Sequence, residues 1–292
     1  MLNVIDLQLG ADPEVFIFDT LEQKFLSAHT MVPGSKDKPH STTYGAIQVD
    51  GVAAEFNILP ARNLKDWLKR IGLGLRHVNS LAKASNPRNA VMIQPVATFT
   101  KSYFESLPED VVQLGCNPDF NAYTSNTNEP PHTTEYFRTG AGHVHIGWLN
   151  HNMFVEDPLG DDKHFNDCME LVRDLDATVY PISHLWDGDT KRRTLYGQRG
   201  SFRPKKYGVE YRPLSNAWLS DPLLQAWVYN AVNHTVLLHN EGFVLSQVDE
   251  LTDFSKPFTQ GKTITRETAL EVHNYLVDKL EYPKLPEIYL GK

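Results

Sequence analysis

Four short stretches of the sequence each place two side chains of catalytic type at positions i and i+2. They are Asp12-Pro13-Glu14, Glu55-Phe56-Asn57, His143-Val144-His145 and Glu210-Tyr211-Arg212, and Asp50 precedes the second of them. Residues i and i+2 of a β-strand project from the same face, so each pair is expected to point to one side. Carboxylates together with an imidazole suit hard divalent ions such as Mg²⁺ or Mn²⁺.

Each pair alone also has a purely structural explanation. An acidic pair often lies on the solvated face of an antiparallel strand, a His-x-His pair is often structural, and Glu-x-Arg is commonly a surface ion pair. Taken together, the four pairs favour one shared concave face. Guanidinium groups that suit phosphate oxygens are carried by Arg192, Arg193, Arg203 and Arg212. Metal-binding carboxylates beside phosphate-binding arginines are what phosphoryl transfer from a nucleotide requires.

The common nucleotide and hydrolase motifs are absent from the sequence. Gly261-Lys262-Thr263 matches the end of a P-loop, but Lys256 occupies the position of its first glycine. There is no Gly-x-Gly-x-x-Gly after a strand and no Gly-x-Ser-x-Gly elbow. The four polar pairs are therefore the strongest chemical signal in the chain.

The hydrophobic pattern predicts one α+β domain over residues 1–292, with an antiparallel or mixed sheet and helices on one face. Strands are predicted at 15–18, 47–59, 91–99, 143–149 and 209–213, and helices at 64–81, 163–178, 222–238 and 265–280. Residues 31–44 and 115–138 are predicted as loops, and we expect residues 31–44 and 117–138 to select the substrates.

Composition and charge exclude several classes of protein. The formal charge of the 292 residues is −8, which argues against nonspecific nucleic-acid binding because such binding needs a basic face. The two cysteines, Cys116 and Cys168, are too few for a disulfide framework, which favours a cytoplasmic location. The sequence shows no signal peptide and no apolar run long enough to span a membrane. We therefore expect neither a nucleic acid nor a membrane as partner.

The order of the motifs resembles the phage carboxylate–amine ligase family, type 2. The matching motifs are Gly-x-Asp-x-Glu at 10–14, Asp-Gly-x-x-x-Glu-Phe-Asn-x-x-Pro-Ala at 50–61, Arg-x-x-x-Gly-His-x-His-x-Gly at 138–147 and Tyr-Gly-x-x-Gly-x-Phe-Arg-x-Lys…Gly-Val-Glu-Tyr-Arg at 196–212. This family is similar to glutamine synthetase and glutamate–cysteine ligase in its catalytic core. The resemblance implies a curved antiparallel sheet around a site for Mg²⁺ (or Mn²⁺) and ATP, and the host cytoplasm as location if the protein is phage-encoded.

The resemblance also implies a role for each matching residue. The implied metal ligands are Asp12, Glu14, Glu55, His143 and Glu210. The implied ATP-binding residues are His145, Arg203, Lys205 and Arg212, and the implied substrate contacts are Asn57, Arg138 and Asn117. Stabilisation of the moving phosphoryl group falls to Arg203, Arg212 and His145, with Arg192 or Arg193 sharing that work.

The implied reaction has two steps. A substrate carboxylate attacks the γ-phosphorus of ATP and gives an acyl phosphate and ADP. An amine then attacks the acyl carbon, and phosphate leaves as the amide forms. In this mechanism metal ions and arginines stabilise charge rather than forming covalent bonds.

Other functions fit the same residues. A phosphotransferase of the guanidino-kinase kind would stop after phosphoryl transfer, and a metal-dependent hydrolase would act without ATP. A non-catalytic nucleotide-binding protein would bind without turnover, but a binding scaffold has no need to hold several buried charges together. An amide product would separate the ligase from the kinase.

Overall fold

The computed structural model describes residue 4 and residues 6–112, 119–128, 136–252 and 264–291. In chain order the strands are β1 (Gln8–Ala11), β2 (Glu14–Asp19), β3 (Lys24–Leu26), β4 (His40–Thr42), β5 (Gly45–Asp50), β6 (Ala53–Ile58), β7 (Asn89–Met92), β8 (Val96–Thr98), β9 (Phe120–Asn121), β10 (Phe137–Thr139), β11 (Val144–Gly147), β12 (Ser201–Lys205) and β13 (Gly208–Tyr211). The helices are α1 (Leu64–Ser85), α2 (Lys101–Phe104), α3 (Glu109–Val112), α4 (Asp162–Ser183), α5 (Lys191–Leu195), α6 (Pro222–Asn240), α7 (Arg266–Leu280) and α8 (Glu287–Leu290).

All pairings between these strands are antiparallel. A five-stranded sheet has the order β1-β11-β13-β12-β9, and a six-stranded sheet has the order β3-β2-β6-β5-β4 with β7 paired to β2. The strands β8 and β10 form a separate pair. The predicted α+β class is confirmed, whereas the closer likeness to glutamine synthetase and the single domain remain predictions.

The chain passes from the five-stranded sheet to the six-stranded sheet at Asp12-Pro13. These two residues separate β1, which pairs with β11, from β2, which pairs with β6. Proline has no backbone N–H and cannot donate to a strand ladder, so pairing is interrupted here and resumes with a new partner. Asp12 consequently lies at the junction of the two sheets.

Helices cover one face of both sheets. Helix α4 packs against β12 and β13, where the rings of Phe165 and Phe202 lie 5.5 Å apart. Helix α1 packs on β6 at Gly74, where an added Cβ would lie only 2.2 Å from a ring carbon of Phe56. Helix α6 contacts both α1 and α4. The apolar faces of the sheets are thus buried against helices, and polar side chains project from the opposite faces.

The four long predicted helices are confirmed, while some strand boundaries were wrong. The stretch 47–59 is not one strand but the hairpin β5–β6, because the chain reverses at Asp50-Gly51, with φ of +58° at Gly51. The stretch 91–99 is likewise divided into β7 and β8 around Pro95, which cannot donate to a ladder.

The two predicted loops contain short strands. Strand β4 lies within the predicted loop 31–44, and β9 and the start of β10 lie within 115–138. Cys116 and the P-loop-like Gly261-Lys262-Thr263 are outside the described residues. Within the part of the chain that the structure describes, no helix is both long and apolar enough to cross a membrane.

Candidate active site

A row of catalytic side chains crosses the five-stranded sheet on the face away from α4. Gly10 of β1 is paired with His145 of β11, His145 with Glu210 of β13, and Glu210 with Arg203 of β12. Directly paired residues project from the same face, so an imidazole, a carboxylate and a guanidinium stand side by side. Lys205 is two residues from Arg203 and shares that face.

Asp12 lies between the two histidines. Its Oδ1 is 3.2 Å from Nδ1 of His143, and its Oδ2 is 3.1 Å from Nε2 of His145. Nδ1 of His143 is also 3.5 Å from Oε1 of Glu210, a side chain that is only 1% exposed. We call Asp12, His143, His145 and Glu210 the histidine group. The structure therefore brings both members of the His-x-His pair to the first acidic residue, as the spacing predicts.

Three cations surround Glu210 beside the histidine group. Nζ of Lys205 lies 2.6 Å from Oε2 of Glu210, and Nη1 of Arg203 lies 3.6 Å from Oε1. Nη1 of Arg212 contacts Oε1 of Glu210, and its Nε donates to Oδ2 of Asp119 at 2.9 Å. The predicted phosphate-binding residues Arg203, Lys205 and Arg212 thus form one basic border beside the carboxylates.

These charges fix the protonation of the histidine group. Burial opposes ionisation of Glu210, but Arg212 and the two histidines outweigh it and hold the pKa of Glu210 well below its ordinary value. Burial also opposes ionisation of Asp12, and the imidazoles of His145 and His143 lower its pKa well below the usual range. Burial and the charge of Arg212 lower the pKa of His143 to about 4. His143 is therefore a neutral imidazole at pH 7, which is the form that ligates a metal.

Three carboxylates form a second cluster on the six-stranded sheet. Glu14 of β2 is paired with Glu55 of β6, and Glu55 is paired with Gln48 of β5, which shares its face with Asp50. One ligand oxygen from each of Glu14, Asp50 and Glu55 lies within 4.8 Å of the others. We call these three residues the triacid group. Gln48 and Asn57 both donate to Oε1 of Glu55, at 3.0 and 3.2 Å, so Asn57 orients this carboxylate.

The triacid group holds protons that ordinary carboxylates would release. Burial and the charge of Asp50 raise the pKa of Glu14 to about 7. Burial, together with the charges of Asp12 and Asp50, raises the pKa of Glu55 well above its ordinary value. Like charges this close cannot all ionise in a buried site unless a proton or a cation is shared between them.

We expect Glu55→Gln to stabilise the metal-free protein above neutral pH. The pKa of Glu14 rises from 4.5 to about 7 on folding, so the folded state binds the extra proton and the triacid group loses stability as the pH rises through this range. Glutamine keeps an oxygen for Gln48 and Asn57, and it needs neither the buried charge nor the extra proton that folding imposes on Glu55, whose own pKa is raised well above its ordinary value. At pH 8 in EDTA, calorimetry should show a melting temperature about 3 °C or more above that of the wild type. An equal or lower melting temperature would contradict this electrostatic account.

The donor set of both groups fits hard divalent cations. Among the described residues, possible metal-ligating atoms lie close together in two sets of three, which are Asp12, His145 and Glu210 of the histidine group and the three residues of the triacid group. Nδ1 of His143 lies 3.2 Å from Oδ1 of Asp12, beside the first set. Oδ1 of Asp12, Nε2 of His145 and Oε2 of Glu210 are buried, and ion pairs with His143, Asp12 and Lys205 at 3.2, 3.1 and 2.6 Å hold them in the site. Carboxylate oxygens with an imidazole are ligands that Mg²⁺ and Mn²⁺ accept. Since only Pro13 separates Asp12 from Glu14, the two groups are adjacent.

Two of the predicted arginines bind the protein itself. Arg192 donates to the backbone carbonyls of Pro213 and Arg212, at 2.7 and 3.1 Å. Arg193 donates to Oγ of Ser183 at 3.1 Å and forms an ion pair with Asp187 at 3.3 Å. The structure does not bring their guanidinium groups into the row that contains Arg203, so their role at the phosphoryl group remains a prediction. The contacts of Arg192 instead fix the end of the segment that carries Arg212.

Of the three predicted substrate contacts, the structure places one in the site. Asn57 lies beside Glu55 and therefore in the site. Arg138 donates to the backbone carbonyls of Phe137 and Val112 and lies over the ring of Phe104, and its contacts connect it to neither acidic group. Asn117 is outside the described residues. The substrate roles of Arg138 and Asn117 remain predictions.

The structure adds residues that the motif comparison did not assign. Asp50 joins the triacid group, Asp119 holds Arg212, and the hydroxyl of Tyr207 contacts Nδ1 of His145. The Asp50-Gly51 dipeptide is a hairpin signal, and the hairpin that forms here brings Asp50 to the face that carries Glu55. No local pattern points to Asp119 or Tyr207, since each meets its partner only through the tertiary fold.

A family model described as phage phiEco32-like COOH.NH2 ligase-type 2 matches residues 134–286, just over half of the chain. The chain therefore belongs to this family of carboxylate–amine ligases, as the motif order predicts. The match includes His143, His145, Arg203, Glu210 and Arg212, whereas the residues of the triacid group and Asp12 precede it. No curated protein matches the chain.

Proposed function

We propose that the protein is an ATP-dependent ligase that activates a carboxylate as an acyl phosphate and transfers it to an amine. The observation that carries this proposal is the adjacency of two acidic groups to one basic border. Carboxylates alone would repel a polyphosphate, and cations alone would bind it without neutralising the charge that develops during transfer. Membership of the carboxylate–amine ligase family supports an acid and an amine as the substrates.

The acidic groups would hold Mg²⁺ or Mn²⁺ through the carboxylates of Asp12, Glu210, Glu14, Asp50 and Glu55, with the neutral imidazole of His143 beside them. Such ions, when bound, neutralise phosphate charge and orient the γ-phosphoryl group. Gln48 and Asn57 fix the carboxylate of Glu55 by hydrogen bonds, so that it is preorganised for this task.

The basic border would bind the phosphates of ATP. Arg212 is anchored by Asp119 and Glu210, so its position is set before the nucleotide arrives. Arg203 projects from the same face one strand further along, where its planar fork can follow the oxygens of the moving phosphoryl group. We assign ground-state binding mainly to Lys205 and Arg212, and transition-state stabilisation mainly to Arg203.

Hydroxylamine trapping tests this proposal without knowledge of the natural amine. Hydroxylamine attacks acyl phosphates, so the protein with ATP, Mg²⁺, hydroxylamine and a pool of carboxylic acids should produce a hydroxamate and equal amounts of ADP and phosphate. EDTA should abolish all three products, because the carboxylates then repel the polyphosphate.

The other outcomes identify the competing functions. ADP without phosphate, accompanied by a stable phosphorylated product, would show a phosphotransferase. ATP binding with no product from any acid would show a nucleotide-binding protein. Either result would overturn the proposed reaction.

A further inference from the structure

A cavity of about 220 Å³ lies beside His145 on the polar face of the five-stranded sheet. Its walls are formed by Ile58 and Pro60 on one side and by Leu149, Phe154 and Tyr207 on the other. Among the described residues that line it, none is acidic and none is Lys or Arg. Gln8, Asn57 and His145 also line it, but apolar side chains and glycines form most of its surface, so the cavity is suited to an uncharged and largely apolar group.

Two strand glycines form the floor of this cavity. A Cβ added to Gly10 would lie 3.4 Å from Cβ of His145, and one added to Gly147 would lie 3.5 Å from a ring carbon of Tyr207. Both are ordinary contacts, and neither glycine has a positive φ. The fold would therefore accept alanine at both positions. Glycine is present even though it weakens a strand relative to alanine. Glycine inside a strand often marks a place where a ligand approaches the backbone.

Gly208, in the neighbouring strand, provides the contrast. Its φ is +156°, and an added Cβ would lie 2.1 Å from the carbonyl oxygen of Ile146. The packing of the sheet therefore requires glycine at position 208. The packing of the sheet does not require glycine at positions 10 and 147. The small size of these two residues instead keeps the cavity open.

The position of the cavity indicates which substrate uses it. Along the sheet, the cavity lies at β1 and β11, while the cations Arg203 and Lys205 lie at β12, with His145 and Glu210 between them. In phosphoryl transfer the attacking and leaving oxygens are roughly in line on opposite sides of phosphorus. If the cations hold the triphosphate, the carboxylate must attack the γ-phosphorus from the opposite side, which is the side of the cavity.

We infer that this cavity binds the organic part of the carboxylate substrate, and that this part is a compact apolar group such as one ring or a short alkyl chain. The inference rests on the proposed function. An apolar protein cavity of about 150 Å³ holds benzene, so 220 Å³ accommodates a ring with a short chain. Among the residues that the structure describes, no carboxylate lines the cavity to pair with an ammonium, so amino acids are disfavoured there. The strand glycines and the segments that follow β6, β11 and β12, rather than the loops 31–44 and 117–138, then select the acid.

The test compares phenylacetate, hexanoate, acetate and glutamate as probes, with Mg²⁺ present and ATP absent. Calorimetry should show that the wild type binds phenylacetate and hexanoate more tightly than acetate or glutamate. Gly147→Ala places a methyl group in the cavity and should weaken phenylacetate binding about tenfold, with little change in the affinity for ATP. Gly10→Ala should have the same effect. Gly188→Ala is the matched control, since an added Cβ there contacts nothing within 4 Å.

Several results would overturn this inference. If the wild type binds none of the apolar acids, the cavity does not bind the acid. If Gly147→Ala lowers the affinity for ATP and leaves the affinity for phenylacetate unchanged, the cavity binds the nucleobase instead. Hydroxamate formed from glutamate at equal rates in the wild type and in Gly147→Ala would overturn the inference while the ligase function stands. Tight phenylacetate binding that Gly147→Ala weakens, without any hydroxamate, would support the ligand class and overturn the proposed reaction.

Discussion

We expect Glu210→Gln to abolish turnover and, unlike Glu55→Gln, to destabilise the protein. Glu210 is 1% exposed and is surrounded by Arg212, Lys205 and Arg203. A neutral amide leaves these cations without their shared anion, and breaking a buried ion pair from one side costs about 3–5 kcal/mol. The same change removes a proposed metal ligand from the histidine group, so kcat should fall by at least about two orders of magnitude.

The comparison of the two glutamine variants separates charge from packing, because the substitution is isosteric in both. Each variant should lose turnover. The melting temperature at pH 8 in EDTA should be lower than that of the wild type for Glu210→Gln and higher for Glu55→Gln. If both variants moved in the same direction, the division into a cation-paired carboxylate and a like-charge cluster would be wrong.

Arg203→Lys should act on the chemical step rather than on binding. Lysine keeps the charge near Glu210 but loses the planar pair of donors that matches two phosphoryl oxygens. The charge on the moving phosphoryl group makes the greatest demand in the transition state. We therefore expect kcat to fall by about two to three orders of magnitude, with a much smaller change in the affinity for ATP. The rate of ADP release, measured over a range of ATP concentrations with hydroxylamine as the amine, provides kcat and the KM for ATP.

Arg88→Lys is the matched control for this experiment. Arg88 forms an ion pair with Asp19 at 3.4 Å and is largely exposed, away from both acidic groups. Its substitution should leave kcat and the affinity for ATP unchanged. An Arg203→Lys variant with normal kcat and a sharply raised KM for ATP would make Arg203 a ground-state binding residue.

Strand periodicity was sufficient to predict that the members of the His143/His145 and Glu210/Arg212 pairs lie together, but the Asp12/Glu14 pair is divided between the two sheets. His143 and His145 both reach Asp12, and Glu210 and Arg212 contact each other, as the spacing of two residues predicts. Such pairs are local, because the alternation of a strand fixes them whatever the partner strands are. The long helices were predictable for a similar reason, since their apolar residues recur at helical spacing.

Features that depend on pairing between distant strands could not be derived in this way. The sequence does not show that Glu14 faces Glu55, or that Asp12 lies where the chain changes sheets. Arg192 is a further example of a contact set by the fold. Its residue type suits phosphate, but backbone carbonyls that only the fold brings near it accept its hydrogen bonds.

Transfer of an isotope from the carboxylate to phosphate is the most direct test of the central claim. In the proposed mechanism, one carboxylate oxygen becomes the bridge of the acyl phosphate and leaves with phosphate when the amine attacks. A carboxylic acid that supports hydroxamate formation, labelled with ¹⁸O, should therefore give inorganic phosphate with one ¹⁸O per turnover. Unlabelled phosphate, or label found in AMP, would contradict activation of the carboxylate as an acyl phosphate.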